Sequence, residues 1–267
     1  MTNIHPTAIV DAKACIADDV TIGPFCTVGP NVHVGSGCKL ISHVVLDGCT
    51  EIGERNTFYP FTAIGTLAQH KRSNAPDAKL IIGNDNTFRE HVTAHVGSDV
   101  DHKITVIGDR NLFLVASHIA HDCILGNDIV MSNNATLAGH VKVEDRAIIG
   151  GLSAVLQFTH IGKGAMIGGM CGIAQDVIPY GIVMGGPRSG LSGLNLVGLR
   201  RASVPTPLIM GLQKAYQDLF FNSEGNFGER VERIAQAQEY KDNPLVQDVI
   251  QFVRNPSKNN ILQPQIG

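Results

Sequence analysis

The chain has no tryptophan, and aromatic residues make up only 5% of it although 43% is hydrophobic. A core drawn from such a composition must consist of small and β-branched aliphatics, without the large interlocking rings that usually dominate one. No apolar run approaches the ~20 residues needed to span a bilayer, which argues against membrane insertion. The opening Met1-Thr2-Asn3-Ile4-His5-Pro6 carries neither the basic nor the apolar segment of a secretory signal, so a cytoplasmic protein is expected. None of the six cysteines forms a Cys-x-x-Cys pair, which argues against a zinc ribbon or a redox dithiol. Four of them (Cys26, Cys38, Cys123 and Cys171) share one phase of the repeat described below and read as small buried hydrophobes. No phosphate-cradling P-loop and no serine or cysteine nucleophile motif is present, so a covalent enzyme intermediate is not indicated.

Charge of either sign is sparse. The formal net charge is -3, with 12 basic against 17 acidic residues through position 186 and 9 against 7 from 187 to 267. That balance is too weak for nucleic acid. The mildly basic tail suits a small acidic partner.

What is present is a six-residue period. Ile4, Val10, Ile16, Ile22, Val28, Val34, Leu40, Leu46, Ile52, Phe58 and Ile64 follow one another at that spacing, mostly with a small or β-branched residue two before. The next residue is often Gly, as at Gly23, Gly29, Gly35, Gly53 and Gly65, which suggests corners of positive φ. The register lapses from Thr66 to Lys79, returns at Ile82 and Phe88, and lapses again near 97–104. It then runs from Ile107 to Ile173. Such a period is the signature of a parallel β-helix, with three units per coil and residues 18 apart stacked on one another. A helical reading fails, because period six scatters the apolar residues around a 3.6-residue turn. The polar stretch 66–79 reads as a functional loop.

The repeat fades past Pro179, and 185–204 reads as an irregular link. Thr206-Pro207 is expected to cap and open a helix carrying Leu208, Leu212, Ala215, Tyr216, Leu219 and Phe220. A second stripe holds Phe227, Val231, Ile234 and Ala235. Asn243-Pro244 opens a third with Leu245, Val246, Val249, Ile250 and Val253. The expected organisation is therefore a β-helix over 1–186 and a small α-helical domain over 187–267.

The stretch from His118 to Gly139 is where the chemistry concentrates. His118 and His121 flank the inward Ile119, so both should face outward or lie at an edge. Steps of 18 from His121 reach Gly139 and Gln157, with His140 alongside. An exposed imidazole titrates near ~6.5 and serves as a general base. A glycine N–H can approach a developing oxyanion. Asp122 would raise the basicity of His121 if the corner turns the two side chains together. A zinc ion held by histidines is the rival reading, although no Cys or Glu joins the cluster at a familiar ligand spacing.

Several segments closely resemble one family. They are Ile4-His5-Pro6-Thr7-Ala8-Ile9-Val10, His118-Ile119-Ala120-His121-Asp122-Cys123, the run Asn133 to His140, the run Ile148 to Val155, and Gly193 to Arg201. Together, from Ile4 to about Phe220, they look like the hexapeptide-repeat O-acyltransferases that open lipid A synthesis by acylating UDP-N-acetylglucosamine from acyl carrier protein. The resemblance implies a left-handed β-helix, a homotrimer with active sites between subunits, and no metal or cofactor. It implies His121 as general base, Asp122 as its support and the Gly139 N–H as oxyanion donor. It places Gln69, His70, His118, His140 and Gln157 around the sugar nucleotide, and Asn195 and Arg201 at the nucleotide or its phosphates. Gly169 and Met166 would set acyl length, with the bare Gly169 implying a longer chain. Four positions depart from the family pattern: His70 for Asp, Leu156 for His, Val197 for an acidic residue and Ala202 for Arg. The first two leave a 3-amino analogue of the acceptor open. A zinc-dependent hydratase of carbonic anhydrase type remains the alternative from another class.

Overall fold

A computed structural model describes residues 3–185 and 189–264. The hexapeptide units fold as short strands on three faces of a coil, holding 11, 9 and 8 strands. Every pairing is parallel except the last, where Gly181–Met184 meets Gly190–Leu194 antiparallel. The architecture is a left-handed parallel β-helix. Its register is the expected 18: Ile22 lies opposite Leu40, and Val28 opposite Leu46. The inward pairs, such as Val20 with Ile22 and Cys38 with Leu40, are at most 1% exposed and form a continuous apolar rod. With no helix packed inside, only two side chains per face and coil point in, the first of them usually small. This is why mid-sized aliphatics suffice, with Phe58, Phe88 and Phe113 stacked where the rod needs bulk.

Gly65 has the positive φ expected (83°), but the other four glycines have a different purpose. Gly23, Gly29, Gly35 and Gly53 are not among the positive-φ residues. They are required because the next coil passes too close: a Cβ on Gly23 would lie 1.8 Å from the Ile41 carbonyl oxygen, and one on Gly53 2.6 Å from that of Gly83. The left-handed corner residue comes two positions later and is usually not glycine, as with Phe25 (φ 58°) and His43 (φ 52°). A left-handed non-glycine residue costs roughly 1–2 kcal/mol. Each of these two is held by a hydrogen bond across coils, from Phe25 N–H to the Thr7 hydroxyl and from His43 N–H to the Pro24 carbonyl.

The two lapses are insertions into single coils. The partner spacing widens from 18 to 30 where Phe58 faces Phe88, and to 25 where Phe88 faces Phe113. Both leave at the corner between the second and third faces, after Ala63–Thr66 and after Thr93–His95, and return at Lys79–Ile82 and Ile104–Ile107. One coil further on, that same corner carries His121.

Beyond the coil lie α1 (Leu196–Arg201), α2 (Thr206–Phe220), α3 (Phe227–Gln236) and α4 (Pro244–Arg254). The first falls inside the stretch expected to be irregular. Pro205 occupies the cap position of α2, so Thr206 is its first helical residue and not the cap expected. Asn243 caps α4 as expected, accepting from Leu245 N–H, and Asn226 forms a reciprocal capping box with Glu229 on α3. Helix α4 packs on the third face: Phe252 lies 4.4 Å from the His160 ring, and Asp248 meets Lys163 and Tyr180. The expected boundary between 186 and 187 lies outside the described residues. Among those described, no helix is long and apolar enough to cross a membrane.

Candidate active site

His121 and Asp122 are neighbours in sequence, and in a strand they would point to opposite faces. They sit in a corner instead. Asp122 has left-handed backbone (φ 59°), which swings the two side chains together, and His121 Nδ1 lies 2.8 Å from Asp122 Oδ2. The second excursion closes over the carboxylate. Ser98 donates its backbone N–H to both oxygens (3.1 and 3.2 Å) and its hydroxyl to Oδ2 (2.5 Å). The Asp122 N–H donates to the Thr105 hydroxyl at 2.8 Å. Burial pushes the Asp122 pKa up, but the hydrogen bonds from His121 and Ser98 outweigh it and hold the group below the ordinary carboxylate value. An ionised carboxylate only accepts, so Nδ1 of His121 carries the hydrogen and Nε2 the lone pair. Among the described residues Nε2 has no hydrogen-bond partner. That is the arrangement of an oriented base.

Gly139 lies against this ring. A Cβ built on it would fall 2.5 Å from His121 Cε1 and 2.8 Å from Nε2, so the imidazole occupies space that any side chain would take. The Gly139 N–H has no acceptor among the described residues. His140 stands edge-on to His121 at 5.1 Å between ring centres and bonds through Nδ1 to Asp101 at 2.8 Å. On its other side it stacks on Phe158 at 4.5 Å. Burial pushes the Asp101 pKa up, yet the hydrogen bonds from His140 and His102 leave it below the ordinary value.

The first excursion brings His70 edge-on to His121 at 5.5 Å. Neither sequence-identified imidazole is exposed as expected: His121 is 3% exposed and His118 half-buried. They do face away from the rod, but the two insertions leave at their corner and cover them. His118 bonds to the Thr93 hydroxyl at 2.7 Å and meets His95 edge-on at 4.9 Å. Burial, followed by repulsion from neighbouring imidazoles, depresses both: His118 falls below the ordinary value, and His95 falls to about 4.

The remaining candidates divide by corner. Gln157 stays in the column, exposed, with its carbonyl accepting from Asn259 at 2.6 Å. Gln69 is exposed in the first excursion, and no side-chain partner is present among the described residues. Asn195 lies elsewhere. Its amide donates to the Gly164 carbonyl (3.1 Å), at the corner between the third and first faces, and its oxygen caps α1 through Gly198 N–H (2.9 Å). Arg201 ends α1, exposed. Met166 is on the first face, and Gly169 follows it, exposed, at the corner leading to the second. A single chain therefore gathers His70, His118, His121, Asp122, Gly139 and His140, while the acyl-length and nucleotide candidates sit at its other two corners.

Sequence reasoning missed Ser98, Asp101 and Thr105. Their only signal was that they fall in or beside the second lapse of the repeat. His121, Asp122 and His140 also place one ligand atom each within 4.8 Å of one another, enough to hold a metal ion. The Nδ1 proton that bridges to Asp122 occupies that space in the present arrangement.

A family model described as UDP N-acetylglucosamine O-acyltransferase, domain 2, matches residues 176–262. The acyl-(acyl-carrier-protein)–UDP-N-acetylglucosamine O-acyltransferase of Sinorhizobium fredii is 45% identical over 99% of this chain and 96% of its own. That of Thermodesulfovibrio yellowstonii is 45% identical over 82% and 85%. Among solved structures, LpxA from Acinetobacter baumannii superposes with a TM-score of 0.93 at 39% identity, covering 97% of this chain and 99% of its own. The UDP-N-acetylglucosamine acyltransferase of Arabidopsis gives 0.86 at 36% identity, covering 97% and 100%. The chain belongs to the acyl-(acyl-carrier-protein)–UDP-N-acetylglucosamine O-acyltransferase family.

Proposed function

We propose that the protein moves a 3-hydroxyacyl group from acyl carrier protein to the 3-hydroxyl of UDP-N-acetylglucosamine, the opening step of lipid A synthesis. The observation that carries this reading is the His121–Asp122 pair, with Nδ1 tied down and Nε2 free. In the proposed reaction Nε2 takes the proton of the sugar hydroxyl as its oxygen attacks the thioester carbonyl. The ionised Asp122 stabilises the imidazolium that forms, and Ser98 holds Asp122 in place. The Gly139 N–H donates to the oxyanion of the tetrahedral intermediate. The C–S bond then breaks, and His121 returns the proton to the departing thiolate. His70, His118, His140, Gln69 and Gln157 surround the sugar in this reading.

The functional unit is a homotrimer in the same proposal. Its support is the division of candidates among three corners of one chain: Gly169 and Met166 for the acyl chain and Asn195 and Arg201 for the nucleotide meet His121 only if a neighbouring copy supplies them. The helical segment 187–267, with its excess of basic residues, is the docking surface for the acidic carrier protein. His70 beside the base keeps the 3-amino analogue as a second acceptor worth offering.

The test is a mass-spectrometric transfer assay with both sugar nucleotides and a ladder of acyl-carrier-protein thioesters. His121→Ala should lower turnover ~10²–10⁴-fold without loss of folded protein. Near-normal turnover in that variant, or full activity abolished by chelation and restored by zinc, rejects the reading.

A further inference from the structure

The column of rings above His121 ends in a cation that the known reaction has not used. His121 meets His140 edge-on, His140 stacks on Phe158, and Lys258 Nζ lies 4.3 Å from the centre of the Phe158 ring. Lys258 comes from the far end of the chain, and the segment around it is firmly held. Ser257 donates its N–H and its hydroxyl to the buried Asp176 carboxylate, each at 2.6 Å. Asn259 donates to the Gln157 carbonyl (2.6 Å) and to the Thr159 hydroxyl (3.1 Å). Asp176 N–H donates to the Asn260 carbonyl, and Leu262 N–H to that of Asp176, both at 2.8 Å. Both neighbours of Lys258 are thus pinned to the coil at the corner that carries His121, while the lysine itself is exposed and has no carboxylate partner among the described residues.

We infer that Lys258 is a substrate-binding residue that receives a phosphate group. With its ammonium over the face of Phe158, Lys258 is oriented before ligand arrives, and its charge is not neutralised by a carboxylate among the described residues. Phe158 is two coil steps above His121, which at ~4.8 Å per strand spacing is ~10 Å along the rod. Below it the acidic groups of the corner, Asp101 and Asp122, are already bonded to His140 and His121. The Lys258 ammonium, with no carboxylate partner among the described residues, is open to an anion at the top of the column. Both substrates of the proposed reaction carry one: the diphosphate of the sugar nucleotide and the phosphodiester of the carrier's pantetheine arm. The inference rests on that reaction for the choice of phosphate-bearing partner, but not for the existence of the site.

The experiment compares wild type with Lys258→Met, which keeps an unbranched side chain and removes the charge, and with Lys258→Arg, which restores it. Binding of UDP, of acyl-phosphopantetheine and of acyl-pantetheine lacking the phosphate is titrated directly, and KM and kcat are measured with each substrate varied. Loss of one charge-assisted contact should weaken the phosphate-bearing ligand about tenfold, with kcat within about twofold and recovery in the arginine variant. Weakened UDP identifies the nucleotide as the source of the anion. Weakened acyl-phosphopantetheine with unchanged acyl-pantetheine identifies the donor arm. Unchanged affinity for both phosphate ligands, or a fall in kcat alone, overturns the inference. A wild-type protein that binds UDP through Lys258 but transfers no acyl group would reject the proposed reaction and leave the site standing.

Discussion

The His121 imidazole lies directly on the α-carbon of Gly139, one coil away, so closely that a Cβ there would be 2.5 Å from Cε1. The contact explains why that position must be bare. It also places the Gly139 N–H beside the base, where the proposed oxyanion would form. Gly139→Ala should tilt the ring off Asp122 and lower kcat ~10²–10⁴-fold, as loss of a positioned general base does, although the backbone N–H remains. Circular dichroism and melting would stay near wild type because the residue is at a corner and outside the rod. Full activity in Gly139→Ala would remove the packing argument.

Ser98 offers a finer test of the same centre. Its hydroxyl is one of several donors on Asp122, and the backbone N–H remains when it is lost. Ser98→Ala should reduce kcat about tenfold, the value of a hydrogen bond to a charged group, and Ser98→Thr should restore it. The pH profile reports the mechanism: a carboxylate with fewer donors favours the imidazolium of His121 more strongly, so the acid limb of kcat/KM moves to higher pH. A uniform loss at all pH values would mean that Ser98 acts only through folding.

Acid should begin to destabilise the protein well above the carboxylate range. His95 is buried, its Nδ1 lacks a partner among the described residues, and its folded pKa is about 4 against an ordinary 6.5. The unfolded chain therefore binds this proton first. Stability is fullest above pH 6.5 and drains as pH falls towards 4, by about 3 kcal/mol for this one group. Depressed carboxylates such as Asp122, Asp101 and Glu144 extend the loss below their ordinary values. Melting temperatures measured from pH 7 to 4 should decline steadily in wild type and more shallowly in His95→Asn. Parallel slopes would refute the assignment to His95.

Gly169 accepts a side chain if the neighbouring coil shifts slightly. It has no positive φ, and a Cβ there would meet nothing nearer than the Gly151 carbonyl oxygen at 3.2 Å. Gly169→Met should therefore fold normally and place its side chain outward from the coil. If this position limits the acyl chain, the variant will prefer thioesters several carbons shorter in the same substrate ladder. An unchanged preference would move the length determinant elsewhere.

Much of this was legible in the amino-acid order. The six-residue period specified the coil, the stacking of residues 18 apart and the column through His121, Gly139 and Gln157, because a strand repeat feeds directly into which side chains point inward. The family motifs named the base. What could not be read was anything set by the corners and by the two interruptions of the repeat. Whether His121 and Asp122 touch depended on one left-handed residue. Burial of the base depended on two insertions leaving the coil at its own corner, and the donor to Asp122 came from 24 residues earlier. Four of the five glycines, Gly65 excepted, were misread for the same reason: periodicity reveals a corner, but only packed coils reveal how near the next backbone passes. Lys258 lies 100 residues from Phe158 in sequence, and hydrogen bonds from its neighbours bring it there. A repeat encodes its own lattice locally. The groups that work on that lattice are assembled by long-range contacts, which no spacing in the sequence records.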